Sequence, residues 1–206
     1  MVRDQLVFKD SAGQEYSIKT LNYFISNIKL SNSAQNIFYS EVGSYHLINA
    51  FLNPNNTEII LRNVPRKKFS ELELSIGLDS IANSGIDKTG DLDPGTGMYW
   101  NWADGYKFFE FEGSYKSGTE RKPFLFHVGE NVNYRTIKFS FSKLLSRNYD
   151  IVKDGQILLD ADAGASFESP NKIDLTVVNN VMSTATGAKQ IADNYAFGFL
   201  KLVGAN

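Results

Sequence analysis

No cysteine occurs in this 206-residue sequence, so disulfides, thiolate zinc sites and cysteine nucleophiles are all excluded. Histidine is almost as scarce: only His46 and His127 are present, and any imidazole chemistry must use one or both. Tryptophan also occurs just twice, at Trp100 and Trp102. Neither sign of charge dominates. The formal net charge is −2, and the densest basic patch, Arg66-Lys67-Lys68, follows Pro65 and reads as a solvated turn. Such a chain offers no electrostatic attraction to nucleic acid. No apolar run approaches the roughly 18 residues of a membrane helix. An export segment, with any lipid-anchoring cysteine, would lie ahead of Met1-Val2-Arg3-Asp4, which leads directly into Leu6-Val7-Phe8.

Catalytic signatures are missing as well. There is no Gly-x-Ser-x-Gly elbow, phosphate loop or dinucleotide fingerprint. Glu110 and Glu112 form a carboxylate pair of the kind glycoside hydrolysis uses at a suitable separation. On a strand they share a face with Tyr106 and Phe108, which casts at least one of them as a partly buried ion-pair partner. The chain is expected to be a binding protein rather than an enzyme.

What is present is strand patterning. A hydrophobic share of 42% supports a substantial core. Leu72-Leu74-Ile76 alternates with Glu71-Glu73-Ser75, and Ile137-Phe139-Phe141 alternates with Lys138-Ser140-Ser142. The same period predicts strands at 15–19, 23–30, 45–51, 58–62, 106–115, 124–128, 156–160 and 172–178, divided by turn residues such as Asn63-Val64-Pro65 and Lys116-Ser117-Gly118. Only 186–200 carries helical spacing, in Ala188, Ile191, Ala192, Tyr195 and Phe199. A short turn is expected at 79–83, with Asp79 as its N-cap. Many short strands and one late helix predict an all-β fold, an antiparallel β-sandwich with a C-terminal α-helix, as a single domain over residues 1–206.

The segment Gly97-Met98-Tyr99-Trp100-Asn101-Trp102 concentrates unusual side chains. On an extended strand Met98, Trp100 and Trp102 share one face, either as core or as a chemical surface. Exposed aromatics of this kind also suit sugar rings, so a surface-interaction or carbohydrate-binding protein is the alternative. His46 and His127 each lie in an apolar strand, where a structural role is common; imidazole with a thioether would suit Cu(I). Ahead of the tryptophans, the oxygen-rich loop 79–94 offers Asp79, Asp87, Asp91 and Asp93 as candidate calcium ligands, although its spacing matches no EF-hand.

The wording of several segments resembles a known family. Tyr23-Phe24-Ile25-Ser26-Asn27-Ile28, Tyr45-His46-Leu47-Ile48-Asn49-Ala50, Gly90-Asp91-Leu92-Asp93-Pro94, the Gly97–Trp102 string and Phe126-His127-Val128-Gly129 stand in the order found in MbnP-like proteins. The likeness runs from about residue 21 to residue 128 and is nearest to Bacteroidetes-type variants. Members of that family are exported copper-binding β-sandwiches associated with methanobactin. The resemblance implies a location in the periplasm or at the cell surface and a role in copper uptake or storage. It also implies that a partner di-haem protein oxidises a tryptophan, here Trp100 or Trp102, to kynurenine. Copper would then be held by His46 and His127 with Trp100 and Met98. Two departures stand out: no cysteine follows Phe126-His127, and Asn179-Asn180-Val181-Met182-Ser183 contains no histidine, leaving Met182 as the nearby thioether.

Overall fold

The computed structural model describes residues 3–51, 57–85, 88–101, 103–142, 149–150, 155–183 and 187–205. Strands β1 (Phe8–Lys9), β2 (Glu15–Asn32), β3 (Ile37–Ser40) and β4 (Tyr45–Asn49) come first. They are followed by β5 (Lys68–Phe69), β6 (Glu71–Ile76), β7 (Tyr99–Asn101), β8 (Gly105–Ser117), β9 (Glu120–Gly129) and β10 (Arg135–Ser140). The remainder comprises β11 (Tyr149–Asp150), β12 (Ile157–Ala161), β13 (Asn180–Met182), helix α1 (Ala188–Asn194) and β14 (Leu200–Ala205). None of the described helices is long and apolar enough to cross a membrane.

The organising element is β2, an 18-residue strand where the sequence pattern predicts two shorter ones. Along one of its edges β1, β4 and β3 pair in succession; along the other, β8 and then β6. The partner changes from β8 to β6 between Tyr23 and Ile25, and a left-handed Asn27 (φ 53°) with a register shift between Ser26 and Lys29 then marks a bulge within the β2–β6 pairing. The main path runs β10-β6-β2-β8-β9-β13 and curls into a half-barrel. Its expected antiparallel pairing holds through β9, and β13 then joins β9 in parallel, so the sheet is mixed.

Two of the predicted strands do not form. Residues 58–62 have no ladder partner, although Ile59 and Leu61 still pack on the core. Residues 172–178 instead fold into a turn capped by Asp174, whose Oδ1 accepts the Thr176 amide at 2.8 Å while its carbonyl accepts Val177 and Val178. The predicted helix does form: α1 continues into a π-turn at Tyr195–Phe199, but Leu200 already begins β14.

Alternation gives the sheet two buried faces. Phe109, Phe111, Phe124 and Phe126 point to the inner face, where Phe167, Tyr195 and Phe199 from the C-terminal segments fill the concavity. Their rings meet edge-on or tilted at 5.0–5.3 Å (Phe111–Phe124, Phe109–Phe199, Phe109–Tyr195), geometry that favours aromatic quadrupoles. A smaller core lies on the outer face. There Phe24, Tyr106 and Phe108 are covered by Leu78, Ala82, Leu92 and Met98 from the loop between β6 and β7.

Asp79 pins that loop. Its carboxylate accepts from the amides of Ile81 and Ala82 at 3.0 Å, as the expected N-cap, and from Asn27 Nδ2 at 3.0 Å and the Tyr45 hydroxyl at 2.9 Å. Burial alone would raise the Asp79 pKa, but these four donors outweigh it and hold the carboxyl below its ordinary value. The Tyr45 hydroxyl is pushed up to about 12 by burial and by Asp79, so it remains a donor at neutral pH. A depressed folded-state pKa means that the stabilisation is present above the unfolded value of about 3.9 and lost as pH falls through the folded one. Asp79→Ala is expected to cost about 1–3 kcal/mol at pH 7, with the deficit narrowing below about pH 4 in denaturant titrations. A deficit independent of pH would contradict the ionised-cap assignment.

Candidate metal centre

Two β-bulges compose the polar part of the outer face. In β2 the register slips between Ile18 and Thr20, which leaves Lys19 as the extra residue and sets Thr20 opposite Glu112 and Asn22 opposite Glu110. In β8 it slips between Lys107 and Phe109, and Lys107 comes into register with Gly129. An uninterrupted β8 would direct Lys107 to the same face as Phe109. The bulge turns it towards His127 instead, a side-chain re-aiming typical of bulges beside functional sites.

Glu110 and His127 are direct cross-strand partners. His127 Nε2 lies 2.8 Å from Glu112 Oε1 and 3.4 Å from Glu110 Oε1. One ligand atom from each of the three residues falls within 4.8 Å of the other two, and among the described residues no other such trio of acidic and imidazole groups converges. The second oxygens are also engaged: Asn22 Nδ2 donates to Glu110 Oε2 at 2.6 Å and Thr20 Oγ1 to Glu112 Oε2 at 3.2 Å. Lys107 Nζ donates to Glu110 Oε1 in a short contact. Asn22 Oδ1 is buried beside them without a donor, an unsatisfied oxygen at the rim of the cluster.

Trp100 closes one side. The Asn101 side chain accepts from the amides of Ala103 and Asp104 at 2.8 and 3.0 Å, folding the β7–β8 hairpin back on itself. The half-buried Trp100 indole then meets the His127 ring edge-on, with centroids 6.0 Å apart and planes at 76°. On the far side Met182 of β13 is in register with His127 and exposed.

Other sequence-predicted site residues lie elsewhere. Met98 is fully buried in the outer core, and the register shift between Tyr99 and Asn101 breaks the alternation that would have aligned it with Trp100. His46 pairs with Ile25 on the inner face and binds Glu41 at 2.8 Å. It is three strand spacings, roughly 14 Å, from His127 and on the opposite side of the sheet, so one ion cannot take both imidazoles. Asp79, Asp91 and Asp93 do not converge: Asp91 accepts the Leu47 amide and Asp93 the Gly95 amide, while Asp79 holds the turn described above. In the described part of the loop their oxygens hold the backbone amides of the loop and of β4. Trp102 and Asp87 lie outside the described residues.

A family model described as MbnP matches residues 1–183. The chain belongs to the MbnP family. Among solved structures it is similar to MbnP from Methylosinus trichosporium, at a TM-score of 0.52 and 16% identity, with 80% of this chain and 71% of that chain covered. At that identity the likeness is one of fold. No curated protein matches.

The family resemblance implies a metal, and the donor chemistry can be tested against it. An imidazole with carboxylates is a suitable donor set for Cu(II), the divalent ion such ligands bind most tightly. The 2.8 Å between His127 Nε2 and Glu112 Oε1 also equals the separation of two ligands at right angles with bonds of about 2 Å. In this MbnP-family chain the fit is best at His127 and Glu112 and weaker at Glu110, which already faces Lys107. Of the residues named from the sequence, His127 and Trp100 are in the cluster. In the sequence Glu110 and Glu112 are legible as a same-face carboxylate pair, with at least one cast as an ion-pair partner, but not as metal ligands, and Lys107 carries no signal because its position depends on the bulge.

Proposed function

We propose that this chain is an exported, non-enzymatic copper-binding protein that holds Cu(II) through His127 and Glu112, with Glu110 as the third candidate donor. The observation that carries the proposal is the convergence of these three side chains on the outer face, with Trp100 against the imidazole. Membership of the MbnP family supports a related role, and copper uptake or storage in the periplasm or at the cell surface follows as the biological setting. Hard carboxylate donors favour Cu(II) over the Cu(I) that a histidine–thioether pair would select. Titration of Cu(II) followed by tryptophan fluorescence and EPR is expected to show one equivalent bound, with saturable quenching. Absence of stoichiometric binding would overturn the proposal.

We further propose that Trp100 is the tryptophan that is oxidised to kynurenine. A di-haem partner using dioxygen or peroxide would open the indole across C2–C3, and hydrolysis would release C2 as formate. The resulting kynurenine has one more oxygen and one fewer carbon than the original side chain, and its aniline nitrogen is a better ligand than indole. Trp100 is the candidate because its ring already touches the ligand His127. Peptide mapping of the protein co-produced with its partner is expected to place the change at Trp100. Modification confined to Trp102 would contradict that assignment.

A further inference from the structure

Lys107 and Glu110 are each 8% exposed, and no other charged side chain among the described residues is so deeply covered. A buried ammonium is costly unless paired, and the Lys107 ion pair is with Glu110. The pairing is built into the backbone. The bulge at Phe108 swings Lys107 to the outer face, and its cross-strand neighbour there is Gly129, which offers no side chain to obstruct it. Gly129 itself has no alternative, because a Cβ there would stand 2.5 Å from the Tyr106 carbonyl oxygen.

The lysine contacts Oε1 of Glu110, the same oxygen that lies 3.4 Å from His127 Nε2, and Asn22 takes Oε2. Both oxygens of Glu110 are thus engaged. Of the two Glu112 oxygens, one faces His127 and the other has only the 3.2 Å hydroxyl contact of Thr20. Two cations on one carboxylate oxygen repel each other, strongly so where water is scarce. We infer that Lys107 is a tethered competitor that sets the metal selectivity of the centre. A metal ion enters through His127 and Glu112 and gains Glu110 only by displacing the ammonium. Ions that bind imidazole well tolerate this loss, whereas ions that depend on several oxygen ligands do not. The inference rests on the copper site proposed above.

The test compares the wild type with Lys107→Met, which keeps the aliphatic stem and removes the charge, using Cu(II) and Mn(II) as probes. Lys107→Met is expected to bind Cu(II) about tenfold or more tighter and to acquire Mn(II) binding that the wild type lacks, a change of the size typical for groups contacting metal ligands. Lys107→Arg, which keeps the charge, should show neither gain. Unchanged Cu(II) affinity with no Mn(II) binding in Lys107→Met, while the wild type binds Cu(II), would overturn the role of Lys107 and leave the copper site standing. Failure of every variant and the wild type to bind Cu(II) would remove the site itself. Should Lys107→Met not fold, Lys107→Gln, which keeps a hydrogen-bond donor for Glu110 without the charge, decides the matter by the same two readouts: tighter Cu(II) binding with gained Mn(II) binding is expected, and wild-type behaviour towards both ions would overturn the inference.

Discussion

His127→Ala is expected to lower Cu(II) affinity by two orders of magnitude or more, about 3 kcal/mol, without unfolding the chain. His127 provides the nitrogen of the trio; what would remain is Glu112 and a Glu110 already held by Lys107 and Asn22. Its side chain lies on the outer face among polar neighbours, while the neighbouring Phe126 and Val128 of β9 carry the packing into the inner core. Chelator-competition titration gives the affinity and circular dichroism gives the fold. His46→Ala is the matched control. Because His46 faces the other side of the sheet and is bound to Glu41, its removal should change copper affinity by less than about twofold. Equal losses in the two variants would mean that copper sits elsewhere.

The second large effect concerns backbone geometry beneath the site. Gly113 lies between Glu112 and Ser114 and pairs with Ile18 at the edge of the β2 bulge. A Cβ at Gly113 would stand 1.9 Å from the Ser17 carbonyl oxygen and 2.8 Å from the Phe124 ring. The carbonyl belongs to the central ladder and cannot step aside as a flexible side chain would. Gly113→Ala should therefore force β2 and β8 apart and cost about 3 kcal/mol or more, towards the upper end for overpacking. For a chain of this length that corresponds to a fall in Tm of roughly 6–12 °C or beyond. Copper binding should weaken alongside, because Glu112 is the adjacent residue. A Tm change within about 2 °C of the wild type would contradict the described pairing.

Much of this architecture is legible in the chain. Alternation located β6, β8, β9 and β10, and the three-and-four spacing located the helix that fills the concave face. The bulges were not legible, because local sequence does not record a two-against-one pairing that tertiary packing imposes. Three consequences follow from them. Predicted strands at 15–19 and 23–30 are one continuous β2 with shifted registers. Met98 and Trp100 separate, one into the outer core and one beside His127. Lys107 enters the cluster although simple alternation places it on the other face. The aspartates of the 79–94 loop show a related limit: oxygen-rich composition is compatible with a cation site, but here the oxygens satisfy backbone amides of the loop and its neighbours.

The long loop and the tryptophan strand have a common physical purpose in this fold. Leu78, Ala82, Leu92 and Met98 cover Phe24, Tyr106 and Phe108, and the Tyr106 hydroxyl donates to the Leu92 carbonyl. Lys107 and Glu110 lie on β8 next to Tyr106 and Phe108 of that outer core, and both are buried. Reduced water access strengthens the electrostatic interactions within the cluster, including any with a bound ion.

Pulsed EPR of the Cu(II)-loaded protein tests the central claim most directly, because it counts the imidazoles bound to the ion. Coordination by one histidine, with the signal lost in His127→Ala and kept in His46→Ala, is the predicted result. Coupling to two imidazoles, or to none, would contradict a copper centre built on His127, Glu112 and Glu110.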